Sequence, residues 1–165
     1  MTSFTNMSFV EFGNCLQFRE MIMGPQSSTP DHLSFRVPGN EIPNWFNHQS
    51  VGSSISFWTG PGFPKFALCL VFGTNGDDYY WSEVNISING RKGNFPVQCF
   101  SRFWYDHLYF YWSGDSFQWC FGDLNLGDRN HVELFCETTV YKGKTKTILP
   151  NIIKRIGVHV ECICP

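Results

Sequence analysis

Charge is scarce in this sequence. Only 16% of its 165 residues are Asp, Glu, Lys or Arg, and 12 basic residues stand against 14 acidic ones. A formal charge of -2 provides no general positive field to gather phosphates, so the main driving term for non-specific nucleic-acid binding is missing. The basic residues near the end, from Lys142 to Arg155, have Glu133, Glu137 and Glu161 nearby and read as a solvated mixed-charge face. No apolar run approaches the ~18 residues of a membrane span, and Met1 to Val10 has neither the basic nor the apolar region of a secretory signal. Nucleic acid and membrane are therefore not expected partners.

Catalytic signatures are missing too. There is no GxSxG, HExxH, Walker loop or GxGxxG. The five histidines, His32, His48, His107, His131 and His159, are scattered, and a lone histidine on a strand is expected to be structural or solvated. Seven cysteines make an odd set without a CxxC pair. Cys162 and Cys164 could pass for metal ligands, but they fall on the apolar phase of a strand and no second pair accompanies them. Asp77, Asp78 and Glu83 lack the alternating carboxylates and central glycine of a calcium loop. The expectation is a domain with no catalytic residues, no metal and no cofactor. Cys69, inside the run Phe66 to Phe72, reads as a buried free thiol, which suits a reducing, intracellular compartment.

What the sequence does have is apolar and aromatic residues, 42% and 18% of the chain, enough to build a core for one domain. One stretch, Cys15 to Met23, has helical spacing before Gly24-Pro25 ends it, and residues 24–31 read as a linker. From Leu33 onward the period is two or the run is continuously apolar, with turn residues every eight to twelve positions. Ile55 and Phe57 alternate with serines, and Phe66 to Phe72 is apolar on both faces. Val84, Ile86 and Ile88 lead into Asn89-Gly90, the dipeptide best suited to a tight hairpin, with a strand expected to return after Gly93. Leu108, Phe110 and Trp112 alternate with Tyr109 and Tyr111; Val132, Leu134 and Cys136 alternate with Glu133 and Phe135 and run toward a turn at Lys142-Gly143. The last strand is expected from Ile156 to Cys164. About eight strands without βαβ alternation predict an all-β fold, two packed antiparallel sheets preceded by a short N-terminal helical segment.

Three aromatic clusters stand out: Tyr79-Tyr80-Trp81, Arg102-Phe103-Trp104-Tyr105 and Phe117-Gln118-Trp119. About half of these rings are expected in the core. Tyr79, Tyr80, Trp81, Arg102, Trp104 and Tyr105 are the candidate partner-binding residues, expected at strand ends, because Tyr, Trp and Arg on loops dominate binding hot spots.

The most distinctive stretch runs from Phe35 to Trp58. In it Pro38-Gly39 suits a turn with a left-handed glycine, Ile42-Pro43 fixes an extended entry, and Trp45-Phe46 supplies ring area expected to close one end of the sandwich. For His48 and Gln49 two readings stand, hydrogen bonding within the loop or contact with a ligand. With Glu41 and Gly52, these residues resemble the PG-x-EIP-x-WF-x-HQS-x-G-x-SI pattern of the C-terminal jelly-roll/Ig-like domain (C-JID), which follows the leucine-rich repeats of plant TIR-type nucleotide-binding immune receptors. Phe12-Gly13-Asn14-Cys15-Leu16 is similar to the segment that closes those repeats, while Asp106-His107-Leu108 and Ile153 to Val158 resemble later strands of the domain.

The resemblance implies residues 1–31 as the end of a leucine-rich-repeat region plus linker and 32–165 as the sandwich. It implies a non-catalytic module that recognises a pathogen effector together with the repeats of the same receptor, in the cytoplasm and/or nucleus. NAD hydrolysis in that family belongs to a TIR domain that this sequence does not contain, and a chain starting just before the domain is expected to be a fragment, a truncated product or a piece cut from a receptor. The alternative is a carbohydrate-binding sandwich with exposed Trp and Tyr platforms, against which the free-thiol pattern weighs.

Overall fold

The computed structural model describes residues 33–62, 66–73, 80–99, 105–112, 121, 124–149 and 151–160. The helical segment expected at Cys15 to Met23, the linker, and Cys162 and Cys164 lie outside these residues. Among them are ten strands: β1 (Leu33–Pro38), β2 (His48–Val51), β3 (Ser54–Thr59), β4 (Phe66–Phe72), β5 (Tyr80–Ile88), β6 (Arg91–Cys99), β7 (His107–Trp112), β8 (Asn130–Lys142), β9 (Thr145–Ile148) and β10 (Ile153–Val160). All pair antiparallel. The first sheet has the order β1-β7-β4-β10-β2; in the second, β3-β8-β5-β6 is completed by β9, which pairs with β8 beyond the end of β3. We call these sheets one and two.

The alternation seen in the sequence decides which side chains meet between the sheets. The inward row of β4 is Phe66, Leu68, Leu70 and Phe72, and it meets Val84, Ile86 and Ile88 of β5 and Val132, Leu134 and Cys136 of β8 in one core. Ile156, Val158 and Val160 of β10 join the same core. Ser82 and Thr138 enter it as a pair: facing each other across β5 and β8, they share a hydrogen bond of 2.8 Å.

The hairpin at Asn89-Gly90 has the expected left-handed backbone, φ 51° and 85°. Its return strand begins directly at Arg91, earlier than Gly93. Asn89 also fixes the neighbouring loop, its Nδ2 donating to Asn125 O and Asn130 Oδ1 while its Oδ1 accepts from the backbone N–H of His131. Gly143, at φ 64°, makes the β8–β9 turn.

The number of strands exceeds the sequence expectation because β2 and β9 carry no apolar alternation. Both are short strands of four residues, and β9 is exposed throughout; each is placed by backbone pairing to a longer neighbour, β10 and β8.

Candidate functional site

β1 and β2 are consecutive in sequence yet stand at opposite edges of sheet one. The segment between them, residues 39–47, must therefore cross the sheet, about 19 Å at ~4.8 Å per strand spacing. It does so over the face turned away from sheet two, forming a strap.

Each motif residue has a place in that crossing. Gly39, at φ 147°, starts it and donates its N–H to Asp106 O at 3.1 Å. Ile42 and Phe46 point down and are buried against a second apolar cluster with Val71, Cys69 and Phe110 of the sheet's outward rows. The turn from Pro43 to Phe46 is closed by Phe46 N–H to Pro43 O, 3.1 Å. Trp45 is half-buried, its ring 4.2 Å from Phe46 and edge-on to His159 at 5.3 Å. His159 Nδ1 lies 2.8 Å from Trp45 O; a carbonyl can only accept, so Nδ1 carries the proton. Asn47 ends the strap by imitating a strand residue: its Nδ2 donates to Val160 O at 3.0 Å and its Oδ1 accepts from Val160 N–H at 3.1 Å.

The landing on β10 requires Gly157. A Cβ there would come 2.7 Å from Ile42 Cγ2 and 3.2 Å from its Cδ1, so any larger residue collides with the strap. Gln49 tethers the strap from β2, Nε2 donating to Pro43 O and Phe46 O, each at 3.3 Å. His48 turns the other way and stacks on Phe57 at 5.4 Å. Gly52, at φ 92°, turns the chain into β3 and donates its N–H to Lys154 O, 2.8 Å. Pro38 and Glu41 are exposed. Trp45 and Phe46 thus cover a sheet face and do not close an end of the sandwich.

Of the candidate partner-binding residues, Tyr79, Arg102 and Trp104 lie outside the described residues. Tyr80 and Trp81 are not on a loop: β5 begins at Tyr80, and Trp81 sits inside it, in register with Thr139 and Gln98. The alternation of Val84, Ile86 and Ile88 suggested a later strand start, but pairing with both β8 and β6 extends the strand back to Tyr80. Trp81 is half-buried. Tyr105 is exposed at 51%, just before β7.

An uncovered aromatic surface lies elsewhere, on the outward face of sheet two. Trp58 (55% exposed), Phe135 (47%), Tyr141 and Ile148 all belong to it, as their registers with His131, Asn85, Lys146 and Thr139 require. Arg129 lies over the Trp58 ring at 5.0 Å. The signal was present in the sequence as a large ring in the polar phase of a strand, Trp58 out of step with Phe57 and Phe135 out of step with Leu134.

His107 is buried at the start of β7 and stacks flat on Phe72, 5.2 Å away. Burial, aided by the Arg36 charge, lowers its pKa from 6.5 to about 4. The buried thiol of Cys136 is pushed up by desolvation and stays protonated. Among the described residues no three His, Cys, Asp or Glu side chains gather as a metal would need, and no helix is long and apolar enough to cross a membrane.

The family model of the C-JID domain matches residues 37–161. No curated protein and no solved structure matches the chain. The matched span begins one residue before Pro38 and ends one past Val160, so it contains the strap and the strand on which the strap lands. The chain belongs to the C-JID domain family.

Proposed function

We propose that this chain is the non-catalytic recognition module of a plant intracellular TIR-type immune receptor, acting in the cytoplasm and/or nucleus. It binds a pathogen effector jointly with the leucine-rich repeats of the same receptor and needs no cofactor. The observation that carries this reading is the family match over most of the chain. Two further features support it. Cys69 and Cys136 are free, buried thiols, as suits a reducing compartment. The scaffold is held on both sides of sheet one, which leaves sheet two as a fixed platform for contacts with another protein.

The test is a domain exchange. Replacing residues 32–165 in the parent receptor with the corresponding domain of a receptor of different specificity is expected to change which effector triggers the defence response, without abolishing the response itself. If the exchanged receptor keeps its original effector specificity, recognition lies outside this domain.

A further inference from the structure

The outward face of sheet two combines exposed apolar surface with an uneven charge pattern. Along β8, Glu133, Phe135 and Glu137 point outward at alternate positions, about 6.8 Å apart. Across the ladder Glu83 of β5 stands directly opposite Glu137, and Asn85 and Ser87 stand opposite Phe135 and Glu133. Two carboxylates opposed on one sheet face repel each other and weaken the pairing. Glu83 accepts a hydrogen bond from Asn94 Nδ2. Among the described residues, the basic groups of the same face stand away from these carboxylates: Lys92 of β6 is opposite Ser87, Lys146 of β9 is opposite Tyr141, and Arg129 lies over the Trp58 ring, so none is in register with a carboxylate. An ion pair among the described residues, Lys154 with Asp106, belongs to sheet one.

We propose that this face docks a protein segment presenting a lysine or arginine beside an apolar side chain. The apolar group would cover Phe135, and the cation would sit between Glu83 and Glu137 or beside Glu133. Charge complementarity selects the occupant: an acidic partner would add to an existing repulsion, and a purely apolar one would bury carboxylates without a counter-charge. An extended segment has side chains of one face at the same two-residue repeat as Glu133, Phe135 and Glu137, so a basic–apolar–basic alternation fits the stripe. Only the protein nature of the partner rests on the proposed function. The domain exchange tests that function, whereas the titration below tests the face.

The experiment is an amide NMR titration of the full 165-residue chain with three capped peptides, Lys-Ser-Leu-Ser-Lys, Lys-Ser-Ser-Ser-Lys and Glu-Ser-Leu-Ser-Glu. The first is expected to shift Glu83, Asn85, Glu133, Phe135 and Glu137 at peptide concentrations up to about 10 mM, and less so as salt is raised. The second is expected to bind roughly tenfold more weakly, and the third to cause no shift at this face. The Glu133→Lys, Glu137→Lys double variant, with an unchanged melting temperature, is expected to reverse the charge preference. No shift from the first peptide, shifts centred elsewhere, or equal response to the acidic peptide would overturn the proposal. So would a soluble glucan or xylan oligosaccharide that shifts this face while the peptides do not, since the face would then be a sugar platform.

Discussion

The two sheets share one core but treat their outward faces in opposite ways. Sheet one is covered on its far side by the strap, so β4 is buried at all seven positions and β7 at all six. Sheet two meets solvent on its far side, and β3 alternates strictly between exposed and buried. The difference shows where the family motif spends its residues. Gly39, Ile42, Phe46 and Gln49, with Asn47 between them, turn a face of sheet one into interior, whereas Trp58, Phe135 and Tyr141 are exposed on the outward face of sheet two, which the motif reaches only at Ser54, opposite Phe135. A substitution on the first face is felt as packing, and one on the second is felt mainly by whatever touches it.

The contrast is most easily broken from the covered side. Phe46→Ala removes a ring that is 2% exposed from the cluster beneath the strap and is expected to destabilise the domain by about 3–5 kcal/mol. A denaturant melt within error of the wild type would show that the strap does not seal the sheet. Trp45, only half-buried, is expected to cost less on truncation than its neighbour.

Next in size is the pH dependence set by His107. Its folded-state pKa, about 4, lies below the ordinary 6.5. Between those values the unfolded chain takes up a proton that the folded one refuses. Its contribution is thus complete above pH 6.5 and is lost as the pH falls toward 4, about 3 kcal/mol in total. His107→Phe retains a ring against Phe72 and removes the titration, so unfolding free energies measured between about pH 7 and about pH 4 should fall less steeply for the variant. Parallel pH profiles would contradict the burial assigned to this side chain.

Gly157→Ala is expected to cost about 1–3 kcal/mol, because the added methyl meets Ile42 Cγ2, an atom one bond from the Cβ with little freedom to retreat. Ile42→Ala in the same chain should recover part of that loss, and a double-mutant cycle measures the coupling. Additive effects would mean that strap and strand are not in contact. At the small end, Phe135→Ala on the uncovered face is expected to change stability by no more than about 0.5 kcal/mol. A large loss there would mean that the face is part of the folded core and not a contact surface.

The sequence made some of this legible and hid the rest for identifiable reasons. Phe66 to Phe72 could be read as buried on both faces because seven successive apolar residues leave no polar phase, and Asn89-Gly90 announced its turn through the dipeptide best suited to that backbone. The period-two pattern placed β3, β5, β7 and β8. β2 and β9 were not visible, since His48–Val51 and Thr145–Ile148 have no apolar phase and owe their strand form to partners elsewhere in the chain. Gly157 gave no local sign either: its backbone is ordinary, and what it must avoid is the side chain of Ile42, far earlier in the chain. Trp81 was misplaced at a loop because a strand end is set by pairing, which composition does not display. The platform on sheet two was written in the sequence as Trp58 and Phe135 in the polar phase, a signal that only becomes a surface once adjacent strands are in register.

The stitch between Asn47 and Val160 joins residues 113 positions apart. During synthesis at ~5–20 residues per second, the strap therefore emerges roughly 6–23 s before the end of the strand on which it lands. β4 and β7 emerge within that interval and offer Ile42 and Phe46 the cluster of Cys69, Val71 and Phe110, while the anchor on β10 is still missing. A ribosome that stalls before Val160 leaves a nascent chain holding the strap in full and its last anchor unmade.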